Sequence, residues 1–297
     1  MNWELLLKFV LNGVIVGMLY GMVALCFTLI YKASKIVNFA QGEFLLVGAW
    51  ICWAVVAQYE VPFFWAFLIT LAFMAVFGFL IQIVILRPLI GEPIISIIMV
   101  TVGLSIFLQA TMKWIFGVHA KPFPDVFPVK TVQIAGLNIE TAYIMSTTIA
   151  VIGMAGFAWF FKVSKTGLAM RATAFDQQVA ASLGVSVKKM FALSWAISAT
   201  VSAIAGVVVG IVNGVSASLS AFGIKVFPAV IVGGLDSIIG AVVGGLIIGI
   251  LENLAEFFDG QYFHFGNMYE VAPFYVLIVI LMFKPYGLFG TKDIERI

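Results

Sequence analysis

The sequence predicts an all-α polytopic membrane protein, and three observations carry that expectation. Of its 297 residues, 63% are hydrophobic and 10% charged, with a mean hydropathy of +1.15. A soluble domain has nowhere to bury so much apolar surface, whereas a bilayer accepts it. Several windows reach the ~20 apolar residues that a spanning helix needs, and their spacing gives about eight or nine transmembrane or half-membrane helices. One long run cannot lie in lipid: residues 162–189 carry Lys162, Lys165, Arg171, Lys188 and Lys189 against a single acid, Asp176. This polar loop, 162–190, joins two hydrophobic halves, 1–161 and 191–290, of a single domain spanning 1–297.

The first span covers about residues 10–31, with Gly13, Gly17 and Gly21 four residues apart. On a helix they form one smooth stripe that admits another backbone, and close packing explains it better than substrate contact. Lys32 and Lys35 make a short landing before IVNFAQGEF (36–44) leads polarity back into an apolar stretch. Asn38 is placed as a helix N-cap with Gln41 at the third helical position, a variant of the capping box, and Glu43 falls in the second turn. At about 100° per residue Glu43 lies far around the helix from Gln41, so a shared ligand face requires a non-helical break. Capping and lining of a translocation pathway stand as equal readings of this trio, because an ionisable group at membrane depth faces protein or a water-filled cavity.

Pro62 opens the next span, about 63–86, which stops at Arg87-Pro88. Another covers about 94–116 and carries Ser96, Thr101, Ser105 and Gln109, of which Gln109 alone demands a partner elsewhere. The loop 117–140, with Lys121, Pro122, Pro124, Asp125 and Pro128, reads as irregular and external, and residues 143–161 return the chain to the basic loop. Beyond that loop, 191–213 places Ser194, Ser198, Ser202 and Gly206 on one helix face. In 222–253, Pro228 and the Gly233-Gly234 pair are read as helix interruptions, giving two short helices with Asp236 near their junction. Gly240, Gly244, Gly245 and Gly249 allow close packing of the return helix. Glu252, Glu256, Asp259 and Glu270 are read as an acidic loop, and a last span, about 271–283, ends at Lys284-Pro285.

Cationic loops resist translocation, so the Lys and Arg pattern sets orientation. Eleven of the sixteen cations (Lys32, Lys35, Arg87, Lys162, Lys165, Arg171, Lys188, Lys189, Lys284, Lys292 and Arg296) fall on the side of the basic loop. Lys8, Lys113, Lys121, Lys130 and Lys225 fall on the other. That predicts an external N-terminus and a cytoplasmic C-terminus. The N-terminus lacks a basic region and a cleavage site, so the first span is read as an anchor with no signal peptide. A net charge of +2 and no basic stripe interleaved with aromatics leave nucleic acid without a binding platform. Cys26 and Cys52 sit in apolar runs and read as small hydrophobes, and His119 and His264 lack metal-ligand spacing, so no metal site is expected.

Within the basic loop, SKTGLAMRA (164–172) is followed by DQQVAASLG (176–184), where Ala180, Ala181 and Leu183 precede a glycine stop at Gly184. An ordinary linker is polar throughout; this Ala-rich face reads as a short cytoplasmic helix on which another protein docks.

Three stretches together carry a family resemblance: LNGVIVGMLYGMVALCFTLIY running into VNFAQGE (37–43), TGLAMRATAFDQQVAASLGV (166–185), and FGIKVFPAVIVGGLDSIIGAVVGGLIIGILE (222–252). The chain resembles, from about residue 10 to its KPYGLFG tail, the LivH-type permease subunits of ATP-binding-cassette importers for branched-chain amino acids. The 178–184 segment is similar to the importer coupling motif EAA-x-x-x-G, with Gln178 where the motif has Glu. Gln41 stands where the family often has His in NFAHGE.

The resemblance implies a cytoplasmic coupling helix and a heteromeric importer in the bacterial inner membrane. A second, LivM-like permease, two cytoplasmic ATPases and an external solute-binding protein would be its partners, with membrane lipid around it. ATP and Mg would sit on the ATPases, and no cofactor is expected in this chain, which has no G-x-x-x-x-G-K-[ST] loop. The pathway is expected near Asn38, Gln41, Glu43, Gly233, Gly234 and Asp236. Coupling to the ATPases is expected at Thr166, Gly167, Arg171, Asp176, Ala180 and Gly184. Urea or short-chain amides are alternative cargoes within the same importer class. A stand-alone secondary transporter or channel is the rival from another class, opposed by the scarcity of intramembrane ionisable groups and of an internal repeat. A membrane enzyme is disfavoured because no nucleophile–base pair or metal pattern is visible, so no catalytic residue is assigned.

Overall fold

The computed structural model describes residues 3–124, 126, 131–134 and 137–291. Lys130, Lys292 and Arg296 of the charge pattern, with Asp125 and Pro128 of the long loop, lie outside the described residues. The helices are α1 (Trp3–Ser34), α2 (Gln41–Ala57), α3 (Phe63–Ile81), α4 (Ile94–Phe116) and α5 (Thr141–Val163). Two short helices follow, α6 (Lys165–Phe175) and α7 (Gln177–Ser182), then α8 (Val187–Asn213), α9 (Ala221–Gly233), α10 (Ile238–Phe258) and α11 (Met268–Phe283). Among the described residues six helical segments are long and apolar enough to cross a bilayer, and three shorter apolar ones accompany them (Gln41–Ala57, Ala217–Gly233 and Met268–Phe283). The protein is an all-α polytopic membrane protein.

The long loop departs from the irregular segment predicted. It contains an antiparallel pair, β1 (Thr131–Ile134) and β2 (Leu137–Glu140), in which Thr131 stands opposite Glu140. Alternation of Thr, Val and Ile across a tight connection is a weak hairpin pattern easily hidden among prolines.

Local chemistry sets the helix ends. Pro62 and Pro93 stand just ahead of α3 and α4, where a missing N–H costs nothing. Ser164 accepts from the Gly167 amide at the start of α6, and Ser237 accepts from Gly240 at the start of α10. The interruption expected in 222–253 occurs at one place only. α9 passes through Pro228 without breaking and stops at Gly234, whose φ of +106° favours glycine. Pro228 is the eighth residue of α9, so it forgoes the bond a residue there makes to the Ile224 carbonyl, and the helix continues past that single lost bond. The acidic loop is also corrected. Glu252 and Glu256 belong to α10 and Glu270 to the first turn of α11, and Asp259 holds the connection by accepting from the Phe265 amide at 2.8 Å. Its aromatic-rich surroundings resembled a loop, but an uninterrupted helical run of 21 residues wins.

Helices from the two sides of the basic loop interleave. α1 packs antiparallel on α10 along its glycine stripe: a Cβ added at Gly13 or Gly17 would lie 2.8 Å from the Cα of Ile250 or Leu246. Gly245 and Gly249 answer from α10, their missing side chains filled by the backbone of Gly21 and Gly17. α2 and α3 both lie on α8, where Gly48 meets Ala203, Gly78 meets Trp195 and Ala199, and Gly206 meets Leu45. In lipid no hydrophobic force brings helices together, so close backbone approach and dispersion carry the association. Gly17→Ala is therefore expected to lower the unfolding midpoint of the detergent-solubilised protein, an overpacking cost of about 1–3 kcal/mol. Gly103→Ala on α4, with open space around its position, should leave the midpoint unchanged or raise it.

Candidate functional site

Chain direction alternates from helix to helix, so the α6–α7 segment, the start of α8, the end of α3 and the tail share one end of the bundle, here the basic end. Between Lys35 and Ala40 the chain is not helical. Gln41 then meets α8 at Ser198 and Ser202, about 17–22 Å along that helix from Val187 at 1.5 Å per residue. α2 therefore begins at mid-depth and runs to the end opposite the basic one, where Trp53 Nε1 donates to the Pro122 carbonyl. α9 is its counterpart, starting at mid-depth and descending to the basic end. Their starts meet: a Cβ at Gly223 would lie 2.6 Å from the Cα of Gly42.

Six side chains bond at this junction. Asn38 does not cap α2, because the helix begins at Gln41 and no side chain caps its Ala40 N-terminus. Instead Asn38 Oδ1 accepts from the Ala40 amide at 3.0 Å, and Asn38 Nδ2 donates to Gln41 Oε1 at 3.1 Å. Asn38 is thus a buried turn brace, two positions too early for the capping box. Gln41 donates through Nε2 to Ser202 Oγ, and its Oε1 also receives Ser198 Oγ at 3.2 Å. Glu43, 4% exposed, turns the other way and accepts from Ser105 Oγ at 2.9 Å, leaving Oε2 without a partner. Gln41 and Glu43 thus face different helices, as their angular separation predicts.

Ser105 belongs to a polar file along α4 at four-residue spacing. Thr101 Oγ1 accepts from the Phe39 amide at 3.4 Å, Gln109 Nε2 donates to Ser220 Oγ at 2.7 Å, and Lys113 Nζ donates to Gln109 Oε1 at 3.0 Å. Gln109 has the partner its isolation in the sequence demanded. Sequence reasoning passed over this file because hydroxyls in a helix commonly bond their own backbone. Thr101 does so too, donating to the Ile98 carbonyl at 2.9 Å.

Gly233, Gly234 and Asp236 are not brought to this junction. Gly233 packs on the Gly240 backbone and Gly234 on Gly290. Asp236 accepts from the amide and hydroxyl of Thr291 in the tail, beside Tyr31 and Lys35 at the basic end. α9 meets the junction through Gly223 and Phe227, whose ring lies 5.8 Å from that of Phe39.

The segment expected to be one short helix is two. Ser164 caps α6; Asp176 ends it and caps α7, accepting from the Gln178 and Val179 amides at 2.8 and 2.9 Å. Gly184, at φ +86°, closes α7. Thr166 lies half-buried in the first turn of α6. Gly167 packs against the Phe161 carbonyl, Arg171 donates to that carbonyl and lies over the Phe161 ring, and Ala180 is buried. These residues hold the pair to the end of α5 and to the core. The surface offered outward is instead apolar: Phe175 is 95% exposed, with Leu168, Val179 and Leu183 also exposed. An isolated Phe reads in sequence as core; only the fold exposes it.

Among the described residues no three His, Cys, Asp or Glu gather as metal ligands. The arrangement binds and positions; it presents no nucleophile beside a base. Replacing Gln41 by Leu leaves the buried Ser198 and Ser202 hydroxyls without it, and should destabilise the protein by about 1–3 kcal/mol in detergent unfolding. Adding Ser198→Ala and Ser202→Ala should recover part of the loss, and strict additivity would show that the three do not act as one network.

The comparisons agree with this architecture. Residues 9–283 match the family described as branched-chain amino acid transport system / permease component. The high-affinity branched-chain amino acid transport system permease protein BraD of Pseudomonas aeruginosa is 31% identical over 98% of each chain. The LivH permease of Escherichia coli K12 is 28% identical over 96% of each, and the probable LivH of Methanocaldococcus jannaschii is 27% identical over 98% of this chain and 95% of its own. PsaBC from Streptococcus pneumoniae, solved with a Fab, has a similar fold, with a TM-score of 0.55 at 17% identity over 97% of this chain and 98% of the solved one. With that match over nearly its whole length, the chain belongs to the permease-component family of branched-chain amino acid transport systems.

Proposed function

We propose that this chain is one permease domain, residues 1–297, of an ATP-binding-cassette importer that brings branched-chain amino acids into the bacterial cytoplasm. The observation that carries the reading is the family match over residues 9–283, shared with relatives named for that transport. The basic end is cytoplasmic, which puts the N-terminus outside and the C-terminus inside, in accord with the bias of Lys and Arg. A second, LivM-like permease completes the membrane part, one of two ATPases binds the α6–α7 face, and a solute-binding protein delivers cargo from outside. ATP and Mg belong to the ATPases, since the chain has no phosphate-binding loop.

In this reading α6 and α7 transmit ATPase closure. Their exposed apolar face enters a groove on the ATPase, while Arg171, Gly167 and Ala180 couple the pair rigidly to α5 and the core, and Gly184 sets its angle to α8. The force reaches the mid-depth junction through α8, which carries both Ser198 and Ser202. Two half-depth helices meeting start to start can separate without breaking a continuous helix, and that is the kind of element alternating access needs. Asn38, Gln41 and Glu43 then border the path, with Gly223 and Phe227 as the α9 contribution. Gly233, Gly234 and Asp236 secure its cytoplasmic end.

Uptake of labelled leucine and labelled urea, in cells lacking the gene and in complemented cells, tests the cargo. Loss of leucine uptake alone supports the reading; loss of urea uptake alone moves the cargo to amides; no change in either overturns both. Phe175→Ala should weaken capture of the ATPase by the purified permease pair roughly tenfold or more, the size of an aromatic hot spot. Unchanged capture would remove the α6–α7 face from the interface.

A further inference from the structure

A second polar region lies apart from the junction, toward the end opposite the basic one. It is a cavity of about 490 Å³ among α1, α5, α8, α9, α10 and α11, within the ~300–1,000 Å³ usual for small-molecule sites. Lys225 on α9 is its cation. Its Nζ lies 3.7 Å from Glu252 Oε1 on α10 and 3.8 Å from Glu270 Oε1 on α11, and 5.3 Å from the Tyr269 ring centroid. The other oxygen of Glu252 accepts from Tyr20 Oη of α1 at 2.5 Å. Glu256, one turn further along α10, is exposed at the rim.

Ser146 of α5 supplies an independent sign of a ligand. It lines the same cavity, is 1% exposed, and its Oγ has no hydrogen-bond partner. A buried hydroxyl without a partner is costly, and it is kept where something else supplies the bond. The remaining wall is apolar, formed by Ile15, Leu19, Val209, Val212 and Phe222.

We propose that this cavity is a reception site for one zwitterionic amino acid with an aliphatic side chain. Lys225 and the Ser146 hydroxyl take its carboxylate, Glu252 and Glu270 take its ammonium, and the apolar wall takes its side chain. The physical reason is complementarity at the cluster. Lys225 is one cation among Glu252, Glu270 and Glu256, so an ammonium entering beside the carboxylates reduces their excess negative charge and frees Lys225 for a carboxylate. A lone anion adds to that excess, a neutral amide supplies neither charge, and a lone cation leaves the Ser146 hydroxyl without a bond. Glu256 at the rim adds attraction for the ammonium end during approach. The inference rests on the importer reading and adds to it a place in this chain where cargo is recognised after release from the binding protein.

The test is binding of labelled leucine to the purified transporter, both permeases and both ATPases in nanodiscs, without the solute-binding protein. Saturable binding is expected, displaced by leucine but not by isoamylamine, isocaproate or urea. Lys225→Met and Glu252→Gln should each weaken it tenfold or more, with Lys225→Arg restoring most of it. Because Lys225 and Glu252 also link helices, Ser146→Ala is the decisive variant. Its hydroxyl holds nothing in the ligand-free protein, so the unfolding midpoint should not fall while leucine affinity drops several-fold. Equal binding by wild type and Ser146→Ala, or a complex that imports leucine yet binds none in this assay, overturns the site. A complex that binds leucine here but imports none overturns the cargo reading and supports the site.

Discussion

Irregular backbone inside a membrane has to find its hydrogen bonds within the protein, because lipid offers none. The non-helical passage between Lys35 and Ala40 brings the chain from the basic end to mid-depth, so its polar groups set the terms for everything around it. Asn38 answers the Ala40 amide, Thr101 answers the Phe39 amide, and Gln41 links Asn38 to Ser198 and Ser202. Remove those partners and α2 has no reason to start halfway through. A helix continuing from α1 would satisfy its own backbone at lower cost.

The glycines act at the same places for a complementary reason. Gly42 against Gly223 lets two helix starts touch, and Gly48 against Ala203 lets α2 lie flat enough on α8 for Gln41 to reach two serines. Polar bonds and backbone proximity therefore depend on each other. The long α1–α10 contact, by contrast, is a glycine-packed seam that is also joined by Asn12 donating to Asn253 and Tyr20 donating to Glu252. The outer cavity is thus bounded on one side by the same glycine-lined pair that stabilises the bundle.

At the basic end the division of labour differs from the one motif spacing suggests. Among residues of the coupling-like motif, Gly167 and Ala180 are buried and Arg171 completes the end of α5, while Asp176 is exposed and caps α7. Together they fix the helix pair on which Phe175 and Leu183 stand exposed. Helix geometry forces some of the motif's residues inward.

Much of the fold was legible in the residues. Apolar length marked the spans, Lys and Arg marked one end, glycine spacing marked the α1–α10 seam, and Gly184 and Gly234 marked the stops. What the pattern hid has physical causes. Pro228 reads as a break, yet α9 runs through it and ends only at Gly234, because one lost backbone bond does not end a packed helix. Asn38 has the composition of a cap, yet its side chain bonds two residues on because the helix begins later. Asp236 interrupts an apolar run, and a turn brings it to Thr291 at the basic end, away from Gln41 and Glu43. The α4 file was passed over because hydroxyls in a helix commonly bond their own backbone, and the Lys225–Glu252–Glu270 cluster was invisible because its members belong to three helices. By itself the sequence determined that this chain spans a membrane as helices, which of their ends is basic, and the family to which it belongs, since hydropathy, charge and motif are properties of short stretches. Only the tertiary structure decided which polar groups share an interior, because that depends on how helices cross, and no local pattern encodes a crossing.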